Sequence, residues 1–274
     1  MQVWFNGKIS EGPIALSPTD RGVTLGDGLF ETILVIDGVA LWLNEHLQRM
    51  RAAASELGII WPESEITMAA QALCKGKAGS HIMRLTLTRG AGGRGLGADI
   101  DTPCFFATCT PLDPKLMFQE VRCCMVSVTR NAASPTSRMK TLSYMDQVLA
   151  AREAGEEGYD DGIMCNTEGF VACSTIGNVF LLKGNTLITP SRDQGILPGI
   201  MRRVVIEGAN ECGLGVEERH VGQHEISTAD GLFLTNSLRL LRPSPAHEVK
   251  DFHRLIGYIC RQIETQCGRD PRTL

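Results

Sequence analysis

The chain has 274 residues, a formal net charge of −4, 43% hydrophobic and 21% charged residues. That balance excludes a disordered chain, and the scattered lysines and arginines exclude a basic footprint for nucleic acid or membrane. Ten cysteines, many inside apolar runs and none in C-x-x-C or zinc spacing, read as small buried hydrophobes in a reducing compartment, with no metal site. The N-terminus has no basic segment followed by an apolar stretch, and no run approaches membrane-spanning length, so a cytoplasmic protein is expected.

The first segment reads as β-hairpins, because Asn6-Gly7 and Asp37-Gly38 each separate short apolar runs and accept positive φ. A helix follows, with Asn44 as its expected cap, Leu47, Met50, Ala54 and Leu57 on one face, and Gly58 closing it. A second helix is expected from near Pro62 to before Gly76. Strands follow at 82–89 and 104–110, separated by a glycine-rich segment, Gly90 to Gly97. Pro111-Leu-Asp-Pro-Lys115 reads as a linker. Beyond it the pattern predicts a strand at 120–128, a helix at about 142–154, strands at 161–165, 170–173 and 178–182, and turns at 166–169 and 184–185. Pro198 suits the first turn of a helix running to about 212. A strand near 216–219, a short helix near 222–228, a strand near 231–235 and a helix near 251–266 complete the reading. The expected domains are a small α+β unit over 1–112, a linker at 113–119 and a larger unit over 120–274.

Chemistry concentrates at a few positions. Lys140 lies between a polar loop and a helix; a desolvated lysine, or one near other cations, can attack an aldehyde. Tyr144 follows one helical turn later. Gly199-Ile200-Met201 opens a helix, whose first N–H groups and dipole make an anion site. Arg49, on the first long helix, could reach the same anion. Taken singly, each has a plainer reading: a surface lysine, a satisfied tyrosine, an ordinary helix start, an exposed arginine.

Together they carry a resemblance. The marks are Asp20-Arg-Gly with Leu25-Gly-Asp-Gly-Leu-Phe-Glu-Thr32, Asn44-Glu-His-Leu-Gln-Arg49, Thr88-Arg-Gly-Ala-Gly-Gly-Arg-Gly95, Lys140, Gly177-Asn-Val-Phe180, Pro198-Gly-Ile-Met-Arg202 and Thr235-Asn-Ser-Leu-Arg239. In this order the chain resembles a fold-type IV pyridoxal-phosphate enzyme, the class IV aminotransferase family. The resemblance implies an α/β (α+β) fold of two domains, the larger with a β-barrel-like core and flanking helices. It implies a homodimer acting on a small amino-acid-like molecule, with pyridoxal 5'-phosphate as cofactor. Lys140 would bond the cofactor aldehyde and shuttle protons. Arg49, the backbone of Ile200 and Met201, and Ser237 would hold the phosphate, and Tyr144 would lie near the ring hydroxyl. Arg94 would take a substrate carboxylate in bidentate fashion, with a mobile loop charge as its plainer reading. Glu31 would lie toward the substrate, with a strand-surface carboxylate as its plainer reading.

One position departs from that pattern. Family members usually carry a glutamate where this chain has Cys173, and that acid keeps the pyridine nitrogen protonated so that the ring draws electrons. A thiol is a weak hydrogen-bond partner with an ordinary pKa of about 8.5. Glu168 sits in the turn, an odd number of residues away, and is a poor substitute. Three reactions classes remain open: aminodeoxychorismate lyase, suggested by chain length, the glycine-rich loop and Gly-Ile-Met; an amino-acid transaminase of D-amino-acid or branched-chain type; or a cofactor-binding relative with little catalysis.

Overall fold

The computed structural model describes residues 1–92, 95–97, 100–246 and 252–274. The chain forms two compact units. The first comprises Met1–Pro114, Met139–Ser143 and Leu274; the second comprises Lys115–Arg138 and Tyr144–Thr273.

In the first unit the elements run β1 (Gln2–Phe5), β2 (Lys8–Glu11), α1 (Arg21–Leu25), β3 (Gly28–Ile36), β4 (Val39–Ala40), α2 (Leu43–Leu57), α3 (Glu63–Cys74), β5 (Ser80–Thr88) and β6 (Cys104–Pro111). The strands make one antiparallel sheet in the order β2-β1-β6-β5-β3-β4. Both hairpin turns have the expected positive φ, 50° and 74° at Asn6-Gly7, 46° and 80° at Asp37-Gly38. The inward residues of β3, β5 and β6, among them Ile33, Val35, Met83, Leu85 and Ala107, pack with Met50, Ala54, Ile66 and Leu73 of α2 and α3 into one core.

Two local expectations fail here. Asn44 does not cap α2: the helix begins one residue earlier, after Trp42 in the left-handed region at φ 50°, with no side-chain cap. Trp42 accepts that conformation because its ring is buried, 8% exposed, and packing outweighs the local cost. The short helix α1 was not predicted; Asp20 caps it by accepting the Gly22 N–H.

The segment Met139–Ser143 joins the first unit through strand pairing. Beyond the two-residue β4, the outer edge of β3 is available, and this segment takes it. Thr141 bridges Leu29, the Phe30 N–H donates to the Lys140 carbonyl at 2.9 Å, and the Leu142 N–H donates to the Gly28 carbonyl at 2.9 Å. Met139 enters the core. Lys140 is therefore set by backbone register beside Phe30.

In the second unit the elements run β7 (Cys123–Met125), α4 (Met145–Glu156), β8 (Asp161–Cys165), β9 (Val171–Ser174), β10 (Asn178–Lys183), β11 (Thr186–Pro190), α5 (Ile200–Glu211), β12 (Gly215–Arg219), α6 (Gln223–Thr228), β13 (Gly231–Asn236), β14 (Leu240–Pro243) and α7 (Phe252–Cys267). They make a five-stranded sheet, β12-β11-β10-β13-β14, and a three-stranded sheet, β7-β8-β9. Among the described residues there is no closed barrel. The strand expected over 120–128 shrinks to three residues, and β11 and β14 are additions to the sequence reading. Pro198 precedes α5 rather than entering its first turn, with Gly199 at the cap position. No helix of the described residues is long and apolar enough to cross a membrane, and no group of three or more His, Cys, Asp or Glu among them could hold a metal ion.

Candidate active site

In the first unit a buried ionic cluster surrounds Glu31. Its carboxylate is fully buried, so the plain reading of a strand-surface acid is wrong. β3 is covered by α2, and the inward face of α2 brings His46 and Arg49, three residues apart, onto that carboxylate. His46 Nδ1 lies 2.6 Å from Oε2; Arg49 Nε donates to Oε1 at 2.8 Å and Nη2 to Oε2 at 2.7 Å. Burial alone would raise the Glu31 pKa, but the Arg49 guanidinium and the His46 hydrogen bond hold it down at about 2. Arg49, expected at a phosphate, therefore spends two of its donor groups on Glu31.

Lys140 is half-buried, with Nζ 4.2 Å from the centre of the Phe30 ring. The Arg84 guanidinium carbon lies 3.9 Å from the same ring. Burial pushes the Lys140 amine down to about 8; Glu31 works against that shift, and Arg49 and Arg84 add to it. A lysine so placed is part neutral near pH 8, able to act as nucleophile and base.

In the second unit the start of α5 offers backbone donors suited to an anion. Gly199 caps the helix with no side-chain hydrogen bond, and the first intrahelical bond to the cap runs from the Arg203 N–H to the Gly199 carbonyl. The N–H groups of Ile200 and Met201 thus have no acceptor within the helix. Asn178 of β10 donates to the Leu197 carbonyl at 2.9 Å and lies so close to Gly199 that a Cβ there would overlap its Oδ1. Asn178 pairs in register with Thr235 of β13, whose buried Oγ1 has no hydrogen-bond partner among the described residues. A glycine that admits close approach, open N–H groups and an orphaned hydroxyl suit a phosphate group. Ser237 is half-buried in the turn after β13. Replacing Gly199 by alanine is expected to weaken pyridoxal-phosphate binding about 10-fold, since the added methyl forces Asn178 or the helix start to move; equilibrium titration of cofactor absorbance checks it, and unchanged affinity refutes it.

Cys173 lies on β9 opposite Met164 of β8. It is 8% exposed and packs with Val126, Ala150, Met164, Ala172 and Ile196. Burial pushes its thiol up to about 11, against a smaller opposing pull from Arg130, so it is neutral at ordinary pH. Asp161, the nearby acid of β8, is occupied: it accepts from Thr175 N–H at 3.1 Å, Thr175 Oγ1 at 2.6 Å, Ser174 Oγ at 3.3 Å and the Gly162 N–H at 2.9 Å. Glu168 lies in the turn, its own N–H on Asn166 Oδ1. Tyr144 ends the loop before α4. Arg94 lies outside the described residues.

The family model for amino-transferase class IV matches residues 28–245. The chain belongs to the class IV aminotransferase family. It is an enzyme of that family, whose cofactor is pyridoxal phosphate. A Methanocaldococcus jannaschii protein provisionally named a branched-chain-amino-acid aminotransferase is 35% identical over 251 residues, 89% of this chain and 86% of that one. The aminodeoxychorismate lyase of Bacillus subtilis is 32% identical over 248 residues, 88% of this chain and 85% of that one. A Legionella pneumophila crystal structure, provisionally named a 4-amino-4-deoxychorismate lyase, superposes with TM-score 0.84 at 27% identity, covering 91% of this chain and 96% of that one. The two-unit α/β fold is that of fold-type IV enzymes.

His46, Phe30 and Thr235 stand inside motifs quoted from the sequence yet received no role there. For His46 a signal existed: its three-residue spacing to Arg49 puts both on one helix face. Thr235 had none, because an orphaned hydroxyl exists only in three dimensions.

Proposed function

We propose that this chain is a pyridoxal-phosphate lyase acting on 4-amino-4-deoxychorismate, releasing pyruvate and 4-aminobenzoate. The observation that carries the reading is the neutral, buried Cys173 where an acid is expected. Bound pyridoxal phosphate supplies the aldehyde carbon and an electron-accepting ring; a ring nitrogen beside a neutral thiol is less often protonated, so the ring accepts electrons less well. A reaction driven by formation of an aromatic product tolerates that loss better than one that depends on the ring alone. Lys140 would hold the aldehyde carbon, remove the ring proton of the substrate and return a proton to the departing enol-pyruvyl group. The N–H groups of Ile200 and Met201, with Ser237 and Thr235, would bind the phosphate, and Arg49 would add its positive field from α2. Tyr144 would lie near the ring hydroxyl, and Arg94 would take the substrate carboxylate. Incubation of the protein with aminodeoxychorismate is expected to yield pyruvate, read with a coupled lactate dehydrogenase; no pyruvate refutes the lyase.

The 35% identity to the Methanocaldococcus jannaschii protein favours a second reading, an amino-acid transaminase. Its mark is conversion of the bound cofactor to its amine form by amino acids alone. Cys173→Glu is expected to speed that conversion at least about 10-fold, the effect of roughly one pKa unit at the ring nitrogen. Stopped-flow absorbance measures it, and an unchanged or slower rate refutes the electron-sink argument.

A further inference from the structure

The phosphate donors assigned to the second unit are backbone N–H groups, and such donors serve only as well as they are aimed. The start of α5 has none of the usual local fastenings. Gly199 has no side chain to cap the helix, and no acid stands in the first turn. In place of an acid that turn carries Arg202, its third residue, only 3% exposed. A cation there opposes the helix dipole, and a buried guanidinium loses its hydration. Its Nε has no hydrogen-bond partner among the described residues, so the loss is not fully compensated. Local rules are broken most often at functional sites.

The Arg202 guanidinium reaches from the helix to the sheet. Nη2 donates to the Pro190 carbonyl at 2.9 Å and to Glu218 Oε2 at 2.7 Å. Pro190 ends β11 and Glu218 lies on β12, and the two strands pair in parallel, with Thr189 opposite Glu218. One nitrogen thus ties the first turn of α5 to two strands at once. The loop before the helix has its own fastening, the Asn178 amide on the Leu197 carbonyl. Register partners on adjacent strands point to the same face of a sheet. Thr235, opposite Asn178, therefore points to the side on which Asn178 meets Leu197 and Gly199. Thr235 is 1% exposed, and its unpartnered hydroxyl is a second sign, independent of the helix, that a polar ligand belongs there.

We propose that Arg202 is a positioning residue of the phosphate site. Through Pro190 and Glu218 it fixes the first turn of α5, so that the N–H groups of Ile200 and Met201 are aligned before the phosphate arrives. It acts without touching the phosphate. Donors fixed in advance cost less ordering at the moment of binding. The proposal rests on the reading of this helix start as the phosphate end.

The test compares two forms of the cofactor that differ only in the phosphate. Pyridoxal 5'-phosphate and pyridoxal are each titrated, by absorbance, into the full-length protein stripped of cofactor. Arg202→Met is expected to weaken pyridoxal-phosphate binding about 10-fold, on the order of one lost hydrogen bond, and to leave pyridoxal binding unchanged. In Arg202→Lys a single ammonium can donate to both oxygens, as Nη2 does, and binding of pyridoxal phosphate is expected within about 3-fold of wild type. If Arg202→Met does not fold, Glu218→Ala takes its part. It removes one of the two acceptors at a solvent-exposed side chain, and a loss of about 3-fold for pyridoxal phosphate alone is expected. Unchanged pyridoxal-phosphate affinity in Arg202→Met, or in Glu218→Ala where that variant stands in, overturns the proposal. Equal weakening of both cofactor forms overturns it as well, because an arginine that merely supports the fold disturbs the whole site. So does Arg202→Lys binding no better than Arg202→Met. Failure of the phosphate reading is seen separately: wild-type protein that binds pyridoxal phosphate no more tightly than pyridoxal refutes it, whatever the variants do.

Discussion

Lys140→Ala is expected to abolish turnover, with a loss of at least about 10²–10⁴-fold, the range for removing a positioned acid–base group. The loss exceeds what binding accounts for, because the same amine bonds the cofactor and moves the proton. Borohydride reduction is expected to attach pyridoxal phosphate to the wild-type chain and not to the variant. The fold is expected to survive. Lys140 is held in the first unit by its carbonyl, which accepts from the Phe30 N–H, and by Met139 in the core, and neither depends on its side chain. The lost contact over Phe30 is worth roughly 0.5–1 kcal/mol at a partly exposed site. Removing an ammonium that burial disfavours offsets part of that. Thermal unfolding within a few degrees of wild type, with activity gone, separates chemistry from structure. Retention of more than about 1% of turnover would assign the proton transfer to another group.

The second large effect falls on stability. Glu31→Leu keeps the volume of the buried site but leaves Arg49 and the His46 donor without their acceptor. Breaking a buried ion pair from one side costs about 3–5 kcal/mol, since the remaining charge stays desolvated. Arg49 is 13% exposed at its side chain, so water offers little compensation. A fall in the unfolding temperature of about 6 °C or more follows, read by differential scanning fluorimetry. The pH dependence has a definite sign. Glu31 has a folded pKa of about 2, below its ordinary 4.5, so the folded state binds fewer protons than the unfolded state between those values. The stability it contributes is complete above about pH 4.5 and is lost as pH falls toward 2. The gap between wild type and Glu31→Leu therefore narrows on acidification. A gap that stays constant down to pH 2 would mean that the carboxylate is not held ionised by its partners.

Much of the architecture was readable from local chemistry. Asn6-Gly7 and Asp37-Gly38 announce their hairpins because left-handed φ is cheap at those residues. The stripe of Leu47, Met50, Ala54 and Leu57 announces α2, and Gly58 at φ 64° ends it. Local chemistry failed where tertiary contact decided. Asn44 has the better capping side chain, yet the helix starts at Leu43 because Trp42 is buried in the core. β11 and β14 were missed because each is a strand by virtue of its partners, β10 and β12 for one and β13 for the other.

The candidate site divides along the same line. The order of Lys140, the Gly177-Asn-Val-Phe180 segment and Pro198-Gly-Ile-Met-Arg202 already pointed to the family, and the departure at Cys173 was visible as a residue type. The charge state of each group was not. Cys173 is a neutral thiol because apolar side chains distant in sequence surround it, and Lys140 titrates near 8 because burial and three side chains from β3, α2 and β5 act on it together. Residue identity, turn chemistry and periodicity are local, so the sequence by itself determined most of the elements and the family. Which groups are desolvated, and which charges face each other, follows from contacts between segments far apart in the chain, so only the tertiary structure decided that Glu31 belongs to His46 and Arg49 and that Lys140 lies on the edge of β3.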